Sequence, residues 1–201
     1  MEGKIVNLSY DELESILLKV VSSNPIKEEL QNCYTVLKEY KKNISSVEEF
    51  LKQIKLNNNE KVRQLAAILL NRKIEKHWAN LTDQIKVEIK KLLLELFRNE
   101  KNYLVAKAIA HLIFRVAKIS LVSGDWNDLH EFIFTNPSSY SKEQAYMFEL
   151  NLYIISELID VCSFYLKHKL ELIKTILQLA LNLGTPRVNK YLIILDERKR
   201  N

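Results

Sequence analysis

Residues that end helices are scarce in this chain, and that scarcity does most to limit how it can fold. Three glycines (Gly3, Gly124, Gly184) and three prolines (Pro25, Pro137, Pro186) are spread over 201 residues. In a helix interior, relative to Ala, Gly costs about 1 kcal/mol and Pro about 3 kcal/mol. Their positions therefore mark where helices stop. Between them the apolar residues recur every three or four positions, with few alternations of period two. The pattern predicts an all-α chain.

The stretch from Glu60 to Trp78, EKVRQLAAILLNRKIEKHW, carries the clearest helical face. Val62, Leu65, Ala66, Leu69 and Leu70 fall on one side. Small Ala66 and Ala67 permit close approach of a neighbouring helix. Asn57 to Asn59 precede the stretch and can cap its first turn, because their side-chain oxygens accept bonds from free backbone N–H groups. Arg72, Lys73 and Lys76 crowd its last turns, where the helix dipole favours cations. Upstream, Ser9-Tyr10-Asp11-Glu12 reads as a capping box that opens a helix to about Val21. Asn24 as cap and Pro25 as first helical residue predict a second helix to about Lys42. Ser45 or Ser46 opens a third, with Val47, Phe50, Leu51 and Ile54 inward. Thr82-Asp83 caps another, with Ile85, Ile89, Leu92, Leu93 and Leu96 inside. Asn102 opens one from Tyr103 to about Val122, ended by Gly124. Further on come an amphipathic piece after Trp126 with Leu129, Phe132 and Ile133, a loop with Pro137, and a helix from the Ser141/Gln144 capping box to about Asp160. A helix over roughly Ser163–Leu183, the turn Gly184-Thr185-Pro186 and a last short helix complete the chain.

These helices repeat. Val62-Arg63-Gln64-Leu65-Ala66-Ala67-Ile68-Leu69-Leu70-Asn71-Arg72 aligns with Val105 to Arg115, matching Val62/Val105, Ala67/Ala110, Leu69/Leu112 and Arg72/Arg115. Val62/Val188 and Leu69/Leu195 match three steps on, and Ile89, Lys90 and Leu93 match Ile173, Lys174 and Leu177 two steps on. All three offsets agree on a period of about 42 residues, and two helices per period is the signature of HEAT or armadillo-like units of roughly 40–47 residues. About four and a half units, or four to five helix pairs, fit the chain. The expectation is a HEAT/armadillo-like solenoid, an α-α superhelix whose units bury their apolar faces by stacking. The last helix gives way to Asp196-Glu197-Arg198 without a polar capping repeat, so a longer array is expected, with residues 1–201 as one segment of it.

Nothing in the sequence marks an active site, and the chain is expected to be neither an enzyme nor a cofactor binder. The glycines are isolated, so no phosphate loop is present. His77, His111, His130 and His168 are scattered, without the four-residue spacing that a helix face needs to ligate zinc. His111, beside Leu112-Ile113, reads as a partly buried, hydrogen-bonded histidine. Glu95 and Glu157 read as solvated charges, not general acids. Cys33 and Cys162 have no paired-thiol spacing and read as free thiols in a reducing compartment. Net charge is +5, with Glu interspersed among Lys, which argues against direct nucleic-acid binding. The densest basic run, Glu197-Arg198-Lys199-Arg200, reads as a solvated end. Tyr146, Phe148, Tyr153, Phe164 and Tyr165 read as core or groove residues, not base-stacking platforms. The most apolar window, Met147 to Leu166, holds Glu149, Glu157 and Asp160, and no apolar signal opens the chain; neither membrane insertion nor secretion is expected.

Val62-Arg63-Gln64-Leu65-Ala66-Ala67-Ile68-Leu69-Leu70, then Trp78, then the Lys90–Leu96 helix, resemble the N-terminal domain of importin-beta (karyopherin-beta) nuclear transport receptors. Asp125-Trp126-Asn127-Asp128-Leu129 resembles that family's later Trp-Pro-x-Leu, with Asn127 in place of the usual Pro. The resemblance covers about residues 8–135, is nearest the importin-four-type branch, and is structural: Leu and Ala pack, Trp78 covers the end of a helix pair, and Arg63 bonds an adjacent turn. It divides the chain into importin-beta N-terminal-like repeats over 1–80 and further HEAT-like repeats over 81–201. It implies a receptor that carries cargo proteins through nuclear pores, shuttles between cytoplasm and nucleus, and binds the GTP form of the small GTPase Ran on its inner, second-helix surface. Phe-Gly repeat pore proteins would meet the outer helices. On the pivotal helix the face opposite Val62, Leu65 and Leu69 carries Lys61, Gln64, Asn71 and Glu75; the equivalent strip one unit on carries Lys107, Phe114 and Lys118. This strip is the expected partner-binding surface. The competing readings are solvated surface and a HEAT-like scaffold or adaptor that binds neither Ran nor the pore.

Overall fold

The computed structural model of the chain describes residues 7–121, 126, 128, 129, 132 and 145–161, and all regular structure among them is helical. The helices are α1 (Tyr10–Val21), α2 (Lys27–Tyr40), α3 (Ser46–Leu56), α4 (Glu60–Asn71), α5 (Ile74–Trp78), α6 (Asp83–Asn99), α7 (Tyr103–Leu121) and α8 (Ala145–Val161). Asp128, Leu129 and Phe132 are helical as well. The readings placed on Gly124, Asn127, Ile133, Pro137, Ser141, Cys162 and everything beyond it, with His130 and His168, lie outside the described residues.

Local capping chemistry sets the helix starts. Ser9 Oγ accepts from Glu12 N–H at 3.3 Å, and Ser9 N–H donates to Glu12 Oε2 at 2.8 Å, closing the capping box of α1. These bonds hold the Glu12 carboxyl below its usual range. Asn59 caps α4, its Oδ1 accepting from Lys61 N–H at 3.0 Å and Val62 N–H at 3.4 Å. Thr82 Oγ1 accepts from Ile85 N–H at 3.3 Å, and Asn102 Oδ1 from Leu104 N–H at 2.9 Å.

Three elements depart from the sequence pattern. First, α2 begins at Lys27, not at Pro25. Ile26 is extended (φ −72°, ψ 126°), caps without a side-chain bond, and leaves Glu28 and Glu29 to face the helix dipole in the first turn. Second, the Glu60–Trp78 stretch is two helices. Lys73 at φ −123°, ψ −21° breaks it, after Lys73 N–H has bonded Leu70 C=O in a tightened last turn. The elbow buries Ile74, His77 and Trp78, and His77 Nε2 lies 3.0 Å from the Lys41 carbonyl at the end of α2. Third, Ile85 is 41% exposed; the inward face of α6 is Ile89, Leu93, Leu94 and Phe97. It is the tertiary neighbours that decide which apolar residues are covered.

The contacts divide the chain into two compact units, Met1–Ile89 and Lys90–Asn201. In the first, α3 and α4 form an antiparallel hairpin across Asn57–Asn59; α1 packs on both, and α2 packs on α1. The core holds Leu13, Leu17, Leu37, Tyr40, Phe50, Ile54, Val62, Ala66 and Leu70. Tyr40 and Phe50 meet edge to face at 5.9 Å. A buried amide link ties α3 to α1: Gln53 Nε2 donates to Tyr10 C=O at 2.8 Å, and Asn57 Nδ2 donates to Glu14 Oε1 at 2.7 Å and Gln53 Oε1 at 2.9 Å. In the second unit α7 packs against α8, and Phe97 meets Phe132 edge to face at 5.8 Å.

The repeat is visible in the packing. Gln53–Tyr10 and Asn57–Glu14 each join residues 43 apart, and His111–Tyr153 joins residues 42 apart. Burial follows the same offset: Val62 and Val105 are fully buried, as are Ala67 and Ala110, and Leu69 and Leu112 are both buried. The fold is all-α and HEAT-like. Ala66 is fully buried and Leu69 nearly so. Ala66→Arg is therefore expected to destabilise strongly, through overpacking and a buried charge. Leu69→Ala should cost about 2–5 kcal/mol. Thermal and urea melts check both, and melts unchanged by either substitution would show that α4 faces the other way.

Candidate partner-binding faces

On α4 the inward row runs through Val62, Ala66, Leu69 and Leu70. Leu65, read from the sequence as core, is half-buried at the edge of this row. Opposite lie Lys61, Gln64, Ile68 and Asn71, spaced three and four apart. Lys61 is exposed; Gln64, Ile68 and Asn71 are half-buried. Glu75 is exposed but belongs to α5, beyond the elbow, and so does not extend the α4 row as a continuous helix would have it do. Arg63 serves the turn, as its position predicts: Nη1 donates to the carbonyls of Asn57 at 3.1 Å and Asn58 at 3.4 Å. It rigidifies the α3–α4 connection.

On α7 the corresponding row is Leu104, Lys107, His111, Phe114 and Lys118. Lys107 and Lys118 are exposed and Phe114 is half-buried. Leu104 is 54% exposed, an apolar side chain that the polar reading of this strip passed over. Against α7, helix α8 carries a half-buried row of Tyr146, Glu149, Tyr153 and Glu157. The two rows are joined by rings. Tyr103 and Tyr146 meet edge to face at 6.0 Å, and His111 and Tyr153 at 4.7 Å. The Tyr146 hydroxyl donates to the Glu100 carbonyl at 2.8 Å, and the Tyr153 hydroxyl lies 2.7 Å from His111 Nδ1. The second unit therefore presents a face of basic, acidic and aromatic groups held in fixed relation. Sequence reasoning named Lys107, Phe114 and Lys118 but not Leu104, His111 or Tyr153 as parts of it. The near-equal spacing of Tyr103 to Tyr146 and His111 to Tyr153, close to the repeat period, was the signal that could have found them.

Burial, and then the Lys107 ammonium one turn away, push the His111 imidazole below its usual range. At neutral pH it is uncharged, and Nδ1 accepts from the Tyr153 hydroxyl when the ring proton sits on Nε2. Among the described residues no group of three or more His, Cys, Asp or Glu side chains could hold a metal ion. No helix among them is long and apolar enough to cross a membrane. Cys33 is a buried free thiol. Trp78 and Trp126 are buried, with Lys90 Nζ 5.9 Å from the Trp126 ring centre.

The folded-state pKa of His111 is depressed, so its contribution to stability is whole above about pH 6.5 and is lost as pH falls through the folded value. NMR titration of the imidazole should give a midpoint below 6.5. Lys107→Gln should raise that midpoint without restoring it fully, since burial remains. A midpoint at or above the ordinary histidine value in the unsubstituted chain would contradict this electrostatic picture.

Residues 34–115 match the family described as "Importin-beta N-terminal domain". The chain is also 30% identical over 103 residues to "Probable importin subunit beta-4" of Schizosaccharomyces pombe (strain 972 / ATCC 24843). That match covers 51% of this chain and 10% of the relative, so the chain spans about a tenth of the relative's length. No solved structure matches significantly. The matched residues run from within α2 to within α7, taking in the α3–α4 hairpin, the elbow and buried Trp78. In sequence, residues 34–115 are therefore similar to importin-beta N-terminal domains, and the described part of that stretch is helical throughout its regular structure.

Proposed function

We propose that this chain is the N-terminal repeat region of a nuclear import receptor of the importin-beta family. Its second helices, α4 and α7, contribute to binding the GTP form of Ran. The whole receptor carries cargo proteins through the nuclear pore, shuttles between cytoplasm and nucleus, and meets Phe-Gly repeat pore proteins on its outer helices. The observation that carries this reading is the match of residues 34–115 to the importin-beta N-terminal domain family. The relative's name, an importin subunit, points the same way. The face geometry supports it. The rows on α4 and α7 lie about one repeat period apart in sequence, and their polar and amphipathic side chains are exposed or half-buried. Lys61, Gln64 and Asn71 of the first and Lys107, Phe114 and Lys118 of the second are the proposed contacts; Glu75 contributes from α5. A repeat surface of this kind spreads affinity over many units, so the 201-residue chain binds more weakly than a longer one.

Calorimetry against Ran loaded with a GTP analogue or with GDP tests the proposal, on this chain and on a longer one. The expected result is measurable preference for the GTP form, stronger in the longer chain. Lys107→Glu with Lys118→Glu should weaken binding at least about tenfold, since opposed charges across an interface set its register, and leave the melt unchanged. Equal affinity for both nucleotide forms, or no binding by the longer chain, removes the transport reading and leaves a HEAT-like scaffold.

A further inference from the structure

We propose that Lys41, Arg72 and Lys73 form a docking surface for a short acidic polypeptide segment of a partner protein, separate from the α4 and α7 rows. The inference does not depend on the transport reading. Lys41 is the C-cap of α2, Arg72 is the C-cap of α4, and Lys73 stands at the start of α5. The contact of His77 Nε2 with the Lys41 carbonyl, at 3.0 Å, holds the α4–α5 elbow against the end of α2 and brings the three cations to one edge of the first unit. Arg72 is exposed; Lys41 and Lys73 are half-buried.

Helix dipoles account for part of this arrangement. A cation at the C-terminus of α2 or α4 is favoured, whereas one at the first residue of a helix is not. Lys73 follows the C-cap of α4 and is the N-cap of five-residue α5, so it stands between a favourable and an unfavourable dipole end. Among the described residues no carboxylate forms an ion pair with any of the three, while neighbouring Lys42 is neutralised by Glu39 at 2.6 Å. The cations therefore act on one another: burial, then Lys73 and Arg72, push the Lys41 ammonium below its usual range. A surface with unrelieved like charge and one partly desolvated ammonium gains most from carboxylates brought by another chain. The size of the cluster favours an acidic peptide over nucleic acid. Three cations at one edge meet two or three carboxylates, whereas a tight duplex contact spreads over about 6–10 phosphates.

The test uses this chain and a fluorescein-labelled peptide of eight alternating Glu and Asp residues, followed by anisotropy. Binding is expected at about 50 mM salt and should weaken markedly by about 200 mM. Lys41→Gln, Arg72→Gln and Lys73→Gln together should lower affinity at least about tenfold. Lys41→Arg should retain it, and the exposed pair Lys19→Gln/Lys38→Gln should leave it unchanged. Because neutralising the cluster relieves repulsion, the triple variant should melt at the same temperature as the parent or higher. A triple variant that melts lower while binding the peptide as before would show that the cations serve only as helix caps, and the proposal falls. It falls equally if the unsubstituted chain does not bind the peptide, or if an oligonucleotide of matching charge binds more tightly and is lost with the same three substitutions.

Discussion

A pair of helices joined by a short turn has apolar residues on two sides and no interior of its own; its stability is borrowed from the pair beside it. Everything else in this chain follows from that dependence. Each unit must offer its neighbour the same relief at the same places, so the pattern has to return after one unit. Val62 and Val105, or Ala67 and Ala110, are buried alike because they answer the same demand. Small residues at these points matter as much as large ones, since helix axes approach to about 8–10 Å only where side chains permit.

Apolar stacking alone tolerates sliding. The amide link of Gln53, Asn57, Glu14 and the Tyr10 carbonyl does not. A buried amide that loses its partner costs about 1–3 kcal/mol, so displacing α1 along α3 by a turn would orphan several polar groups at once. Within the first unit, hydrophobic burial supplies the attraction between helices and the amides hold α1 in register against α3. Asn57 shows the division of labour within one residue: its Nδ2 holds α1, and its Oδ1 receives Asn59 N–H at 2.8 Å, shaping the turn from which Asn59 caps α4.

What could be read from the sequence was what depends on a few adjacent residues. The Ser9/Glu12 box, the Asn59 and Asn102 caps, and the role of Arg63 at its turn are local chemistry, and each is present as the residues imply. The repeat was legible because packing imposes it on the sequence. The misread places were those decided at a distance. The elbow at Lys73 depends on the end of α2, to which His77 is joined. The exposure of Ile85 depends on what covers α6. Of the candidate faces, the polar strips were legible as the complement of the buried rows. The His111–Tyr153 pair was not, because it forms between helices and neither residue is unusual in its own helix.

The elbow has a consequence for how the first unit opens. Helix α5 has five residues, far too few to persist as an isolated helix. Its order comes from outside it, through buried Ile74 and Trp78 and through the imidazole at the end of α2. The amides of this segment therefore have no private stability. Their exchange with solvent deuterium is governed by the larger opening that frees the α2 terminus, and the short helix joins the cooperative unit of its neighbours instead of fraying by itself.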